Sequence, residues 1–187
     1  MNWIESIRNY IPYNKQEEKD KELFVHYIEI FEDVLSRDNE IAHITCSALV
    51  INKTRDKMLM VHHNIYNSWS WIGGHADGDA DFLKVAMKEA MEETGIKSAI
   101  PLSNDIFALD IMPVVGHYKR GKYISAHIHL SLTYVFEAGE DEALVIKRDE
   151  NSGVMWVPLS EVNRYSAEAH MHSIYNKLTA KLEEYRY

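Results

Sequence analysis

The stretch Trp71–Ile96, WIGGHADGDADFLKVAMKEAMEETGI, decides how the rest of the chain is read. Two glycines open it, an acidic Asp/Gly turn follows, and a helical segment then carries Glu89, Glu92 and Glu93. Carboxylates at i, i+3 and i+4 share one face of a helix, within an arc of about 100°. Phe82, Val85 and Ala86 share that azimuth one or two turns upstream, and Leu83, Met87 and Ala90 form the adjoining apolar sector. Asp81, Lys84 and Lys88 point elsewhere, toward water. The glutamates therefore continue a face that begins buried, unlike the solvated face most charge clusters make. Three like charges there repel one another and take up protons unless a cation neutralises them. Oxygen ligands suit a hard divalent ion such as Mg²⁺, so the stretch predicts a metal site.

These residues resemble the signature of the Nudix hydrolases: Gly, five residues, Glu, seven residues, then Arg-Glu-hydrophobic-x-Glu-Glu-x-Gly-hydrophobic. Aligned on Gly74 and on Glu89–Ile96, the chain follows it with two departures, Ala80 at the first Glu and Lys88 at the Arg. The resemblance implies Mg²⁺ or Mn²⁺ held by Glu89, Glu92 and Glu93, with the Gly73 carbonyl as a further ligand. It implies a further carboxylate from outside the motif, for which Glu150 is the candidate, and one of these acids accepting the proton of an attacking water. Lys88 keeps its charge and reaches Glu92 at i+4, but lacks the planar fork of a guanidinium. Asp79 and Asp81 flank Ala80 and could replace the missing carboxylate if the helix start shifted. The expectation is a reduced rate or an altered metal preference.

Outward from the motif, the N-terminal side begins with residues 1–38, read as a helical extension in which Phe24, Tyr27, Ile28, Phe31 and Leu35 recur at helical spacing. That stripe suits packing on the domain or a homodimer interface. Residues 43–52 and 57–63 read as two strands joined by the polar turn Lys53–Asp56, with Cys46 a small core residue in the first. His62 and His63 point to opposite faces of the second strand. Trp69 and Trp71 are open between packing and stacking on a substrate base.

On the other side, residues 105–115 read as a strand, GHYKRGK as a turn, and residues 123–138 as one long strand. Tyr123, Ser125, His127, His129, Ser131 and Thr133 make a polar stripe on that strand, read as an open solvent face or the wall of a wet cleft. Two histidines and the preceding Lys119, Arg120 and Lys122 favour the cleft, so Lys119, Lys122, His127 and His129 are the candidate substrate contacts. His127-x-His129 is also the beginning of a zinc ligand set, but no cysteine or third ligand is spaced to complete it. Asp149-Glu150 precedes a strand VMWVP, and residues 166–187 read as an amphipathic helix with Ile174, Leu178 and Leu182 inward.

Strands alternating with helices predict an α/β or α+β layered domain. The resemblance sharpens this to a Nudix-like α/β/α sandwich with a mixed sheet over residues 39–187, and the N-terminal helices outside it. The net charge of −9 argues against nucleic-acid or anionic-membrane partners. One cysteine, with no signal-like or membrane-length apolar run, reads as cytoplasmic. The expected partner is a small-molecule nucleotide, and the implied reaction is hydrolysis of a nucleoside diphosphate linked to another moiety. ADP-ribose and nucleotide sugars stand slightly ahead, because Pro113 lies near, though not in register with, a proline that the family associates with ADP-ribose. Two other readings are a non-catalytic nucleotide-binding or sensor domain, which Ala80 and Lys88 would suit, and an isopentenyl-diphosphate isomerase, for which Cys46 is the sole catalytic thiol available.

Overall fold

The computed structural model describes residues 2–119 and 121–185. In chain order the elements are α1 (Trp3–Asn9), α2 (Lys15–Ile30), β1 (Ala42–Asn52), β2 (Lys57–His63), β3 (Ser68–Ser70), β4 (Ile72–His75) and α3 (Phe82–Thr94). β5 (Ile100–Pro101), β6 (Ala108–Val114), β7 (His117–Lys119), β8 (Lys122–Ile124), β9 (His127–Ala138), β10 (Asn151–Pro158), α4 (Val162–Tyr165) and α5 (His172–Glu184) follow. The fold is mixed α/β, with a mixed sheet and five helices among the described residues. Two compact units share these elements: Met1–Ser47, Gly73–Ala86 and Asn104–Tyr134 form the first, and Ala48–Ile72, Met87–Ser103 and Val135–Tyr187 the second.

In the first unit β4 pairs with the start of β1, and β6 runs antiparallel along β9 from Ala108↔Thr133 to Val114↔His127. Gly73 permits the β4–β1 approach, since a Cβ there would lie 2.9 Å from the Cys46 carbonyl and 3.0 Å from Ser47 Cα. Asn2 caps α1 in a capping box with Glu5, and Asn14 caps α2 by accepting from Glu17 N–H at 2.9 Å. α2 packs on β6, where Asp20 accepts from Ile111 N–H at 3.0 Å. Glu17 is fully buried beneath it and accepts from the Tyr10 hydroxyl and from Tyr13 N–H. The expected N-terminal stripe is cut short. α2 ends at Ile30, Phe31 is already extended, and Leu35 lies in a turn beyond the helix.

The long strand expected over 123–138 is two strands. Residues 122–124 fold back on β7 around Gly121, whose φ of 79° is left-handed, while residues from His127 onward pair with β6. The polar stripe is likewise neither a solvent face nor a cleft wall along its whole length. Ser131 and Thr133 are fully buried, and Ser131 Oγ lies 3.0 Å from Ser47 Oγ. Arg120 lies outside the described residues.

In the second unit β2 sits between the end of β1 (Ile51↔Met58) and β10, with β3 also on β2 and β5 on the end of β9. Both Trp side chains pack against neighbouring rings. Trp69 meets His62 edge-on at 5.3 Å, and Trp71 meets Tyr175 of α5 edge-on at 6.1 Å. α5 turns Tyr175, Leu178 and Leu182 inward, so Tyr175 takes the place expected of Ile174. No helix among the described residues is long and apolar enough to cross a membrane.

Candidate metal centre

α3 starts where two aspartates hold its first amides. Asp81 accepts from Lys84 N–H at 3.2 Å, and Asp79 accepts from Asp81 N–H at 2.9 Å. Both acids that flank Ala80 are thus engaged in hydrogen bonds at the helix start. Phe82, Val85, Ala86 and Ala90 are buried, while Asp81, Lys84 and Lys88 are exposed, as the helical wheel requires.

The helix ends at Gly95, with φ 77°, its N–H donating to the Met91 carbonyl at 3.0 Å. Val145 crosses this end: its N–H donates to the Thr94 carbonyl at 2.7 Å, and its side chain lies 2.8 Å from where a Gly95 Cβ would stand. The crossing leads the chain into the turn Lys147–Glu150. That turn is held because Asn151, 1 % exposed, donates from Nδ2 to the Glu93 carbonyl at 2.9 Å, and Asn64 N–H donates to the Glu150 carbonyl at 2.9 Å.

Glu89, Glu93 and Glu150 converge in consequence, each offering a carboxylate oxygen within 4.8 Å of the others. Glu93 is buried, and Glu89 and Glu150 are half-buried. Burial pushes the Glu89 carboxyl above the usual carboxylate range against the pull of Lys147, and Glu92 and Glu150 push it further. Lys147, which the sequence did not single out, lies 3.0 Å from Glu150 and 3.5 Å from Glu92. The hydrogen bond and charge of Glu150 raise its ammonium pKa in spite of partial burial. Glu92 stands apart from the convergent set, more exposed and flanked by Lys147 and, at 3.7 Å, Lys88. The donor set fits a hard divalent ion: three acid oxygens, clustered and part-desolvated, with one lysine as partial counter-charge.

The other expected residues lie in the first unit. Gly73 is on β4, and Lys119 faces Lys122 across the β7–β8 pair. His127 and His129, at the start of β9, meet two further histidines that no sequence spacing links to them, His43 on β1 and His75 on β4. Burial above all drives His75 down to about 3 and His129 to about 2, with neighbouring positive groups adding to it. Burial also lowers His43. All three are neutral imidazoles at physiological pH.

A family model described as the NUDIX domain matches residues 41–178, most of the chain. This chain belongs to the Nudix family. Among solved structures, RenU of M. smegmatis, a Nudix hydrolase, superposes with a TM-score of 0.56 at 15% identity, over 78% of this chain and 88% of its own. A C. elegans Ap4A hydrolase complex gives 0.53 at 17%, over 76% and 98%. The Nudix domain of Shewanella oneidensis NrtR, complexed with ADP ribose, gives 0.51 at 17%, over 85% and 96%. These likenesses are of fold, and no curated protein matches the sequence. Family membership makes the chain a Nudix-type pyrophosphohydrolase.

Proposed function

We propose that this Nudix protein hydrolyses the diphosphate linkage of a nucleoside diphosphate joined to another moiety, with Mg²⁺ or Mn²⁺ at Glu89, Glu93 and Glu150. The observation that carries the reading is the convergence of those three carboxylates. A divalent ion bound there supplies positive charge to the diphosphate oxygens and acidity to a water. Glu89, whose proton affinity burial and its acidic neighbours raise, serves as proton acceptor, or passes that role to Glu150. Lys147, paired with Glu150 and Glu92, would be at hand to contact a phosphate oxygen of the substrate. Lys119 and Lys122 are proposed to attract the anionic substrate.

ADP-ribose and nucleotide sugars remain the first candidates. The neighbours named for Ap4A and complexed with ADP ribose put both compounds on a test panel, beside a nucleotide sugar and a nucleoside triphosphate. Each is assayed for phosphate-bearing products with Mg²⁺, with Mn²⁺ and with chelator. Metal-dependent cleavage of one class identifies the substrate, and Glu93→Gln should remove it. The rival reading, a module that binds a nucleotide without cleaving it, draws on Ala80 and on the lysine pairing of Glu92 and Glu150. A nucleotide that raises the melting temperature while no class yields product would select that rival. The isomerase reading finds no support in Cys46, which is wholly buried in β1.

A further inference from the structure

His43, His75, His127 and His129 of the first unit form a cluster for which the carboxylate centre has no use. His43, His75 and His129 each offer a ring nitrogen within 4.8 Å of the other two, and their ring centroids lie 5.0 to 5.1 Å apart. Three separate strands supply them, so the fold itself draws these imidazoles together.

The hydrogen bonds fix which nitrogens carry lone pairs. His43 Nδ1 lies 2.8 Å from the Asn39 carbonyl and must be the protonated donor there, leaving Nε2 as a bare acceptor. That Nε2 is buried without a protein hydrogen-bond partner, on a residue 3 % exposed. A backbone polar contact on one nitrogen and an orphaned lone pair on the other is how metal-ligating histidines are arranged. Asn39 is itself pinned: its side chain accepts from Ile41 and Ala42 N–H and donates to Asp33 at 2.8 Å. His127 is tethered alike, donating from Nδ1 to the Ser125 carbonyl at 2.8 Å. Its Nε2 must then accept from His129 Nε2–H, 3.2 Å away, which leaves His129 Nδ1 with the free lone pair.

We propose that His43, His75 and His129 hold a borderline divalent transition-metal ion, Zn²⁺ foremost, with His127 orienting His129 from behind. Imidazole donors select such ions over Mg²⁺, and three ligands leave a fourth position open for water or a ligand. The nitrogens need to draw in only to the roughly 3.3 Å spacing of a tetrahedral ion, a matter of small ring rotations. Arg37, whose charge bears on all three imidazoles, forks onto Asp77, which offsets it. The site shares no residue with the carboxylate centre.

The test titrates Zn²⁺ into chelator-stripped protein by calorimetry and substitutes Co²⁺ for visible spectroscopy. The Glu93→Gln background keeps the carboxylate centre out of the reading. One equivalent should bind, with the d–d bands of a nitrogen-ligated Co²⁺. His75→Gln and His129→Gln should weaken it at least 100-fold, and His127→Gln by 10- to 100-fold. Absence of stoichiometric binding by otherwise unaltered, folded protein overturns the proposal without recourse to any histidine variant. Equal affinity in folded His75→Gln and His129→Gln protein overturns it too.

Discussion

Glu93 and Glu92 are adjacent and alike in sequence, yet their surroundings separate them. Glu93 is 5 % exposed and lies with Glu89 and Glu150, whereas Glu92 is more exposed and balanced by two lysines. Glu93→Gln is therefore expected to lower kcat by about 100-fold or more and to raise the Mg²⁺ concentration needed for half-activation. Glu92→Gln should cost markedly less on both counts, and steady-state kinetics across a Mg²⁺ titration separates the two. Equal losses would return Glu92 to the ligand set that the motif implies. The helical period put Glu89, Glu92 and Glu93 on one face, but it could not rank them. Their ranking depends on Lys147 and Glu150, which arrive from a distant turn through Val145 and Asn151. The histidines were legible only as the pair His127-x-His129. His43 and His75 join them by strand pairing, which no local spacing encodes.

At the level of elements, α3 is bounded by two features that local chemistry explains. Asp81 caps its start, and truncation to Ala should cost about 1 kcal/mol. Gly95 ends it with φ 77°, and Gly95→Ala should cost roughly 1–2 kcal/mol from the left-handed backbone alone, before the contact with Val145 is counted. For a chain of this length each kilocalorie lowers the melting temperature by about 2–4 °C. Thermal unfolding followed by circular dichroism checks both. Gly95→Ala should also impair activity, because displacing Val145 displaces the turn that carries Glu150. Element by element, the β1–β2 hairpin was readable from its apolar runs and polar turn, and α3 from its wheel. The break between β8 and β9 was not, since alternation continues unbroken through Ser125 and Ala126. Only the partner strands, β7 on one side and β6 on the other, distinguish one strand from two.

For the molecule as a whole, a cluster of acid oxygens without its ion is a destabilising feature that metal relieves. Mg²⁺ at a hundredfold excess over its dissociation constant should stabilise the fold by about 2.7 kcal/mol. Calorimetric scans with Mg²⁺ and with chelator measure this, and Glu93→Gln should flatten the response. Composition and charge placed the chain among folded, acidic proteins, but they could not divide its contacts into two units that alternate along the chain. Cys46 ties this scale back to a single atom. The chain's one thiol is wholly buried in the first unit, on a strand with no exposed residue. A thiol reagent can therefore reach it only when that sheet opens, so the labelling rate is a clock for a motion that spectra averaged over the folded state do not register. In native protein labelling should be far slower than in denaturant. A ligand of the histidine cluster, bound to β1 at His43 three residues away, should slow the clock further, whereas Mg²⁺ should slow it only as far as opening involves the whole chain.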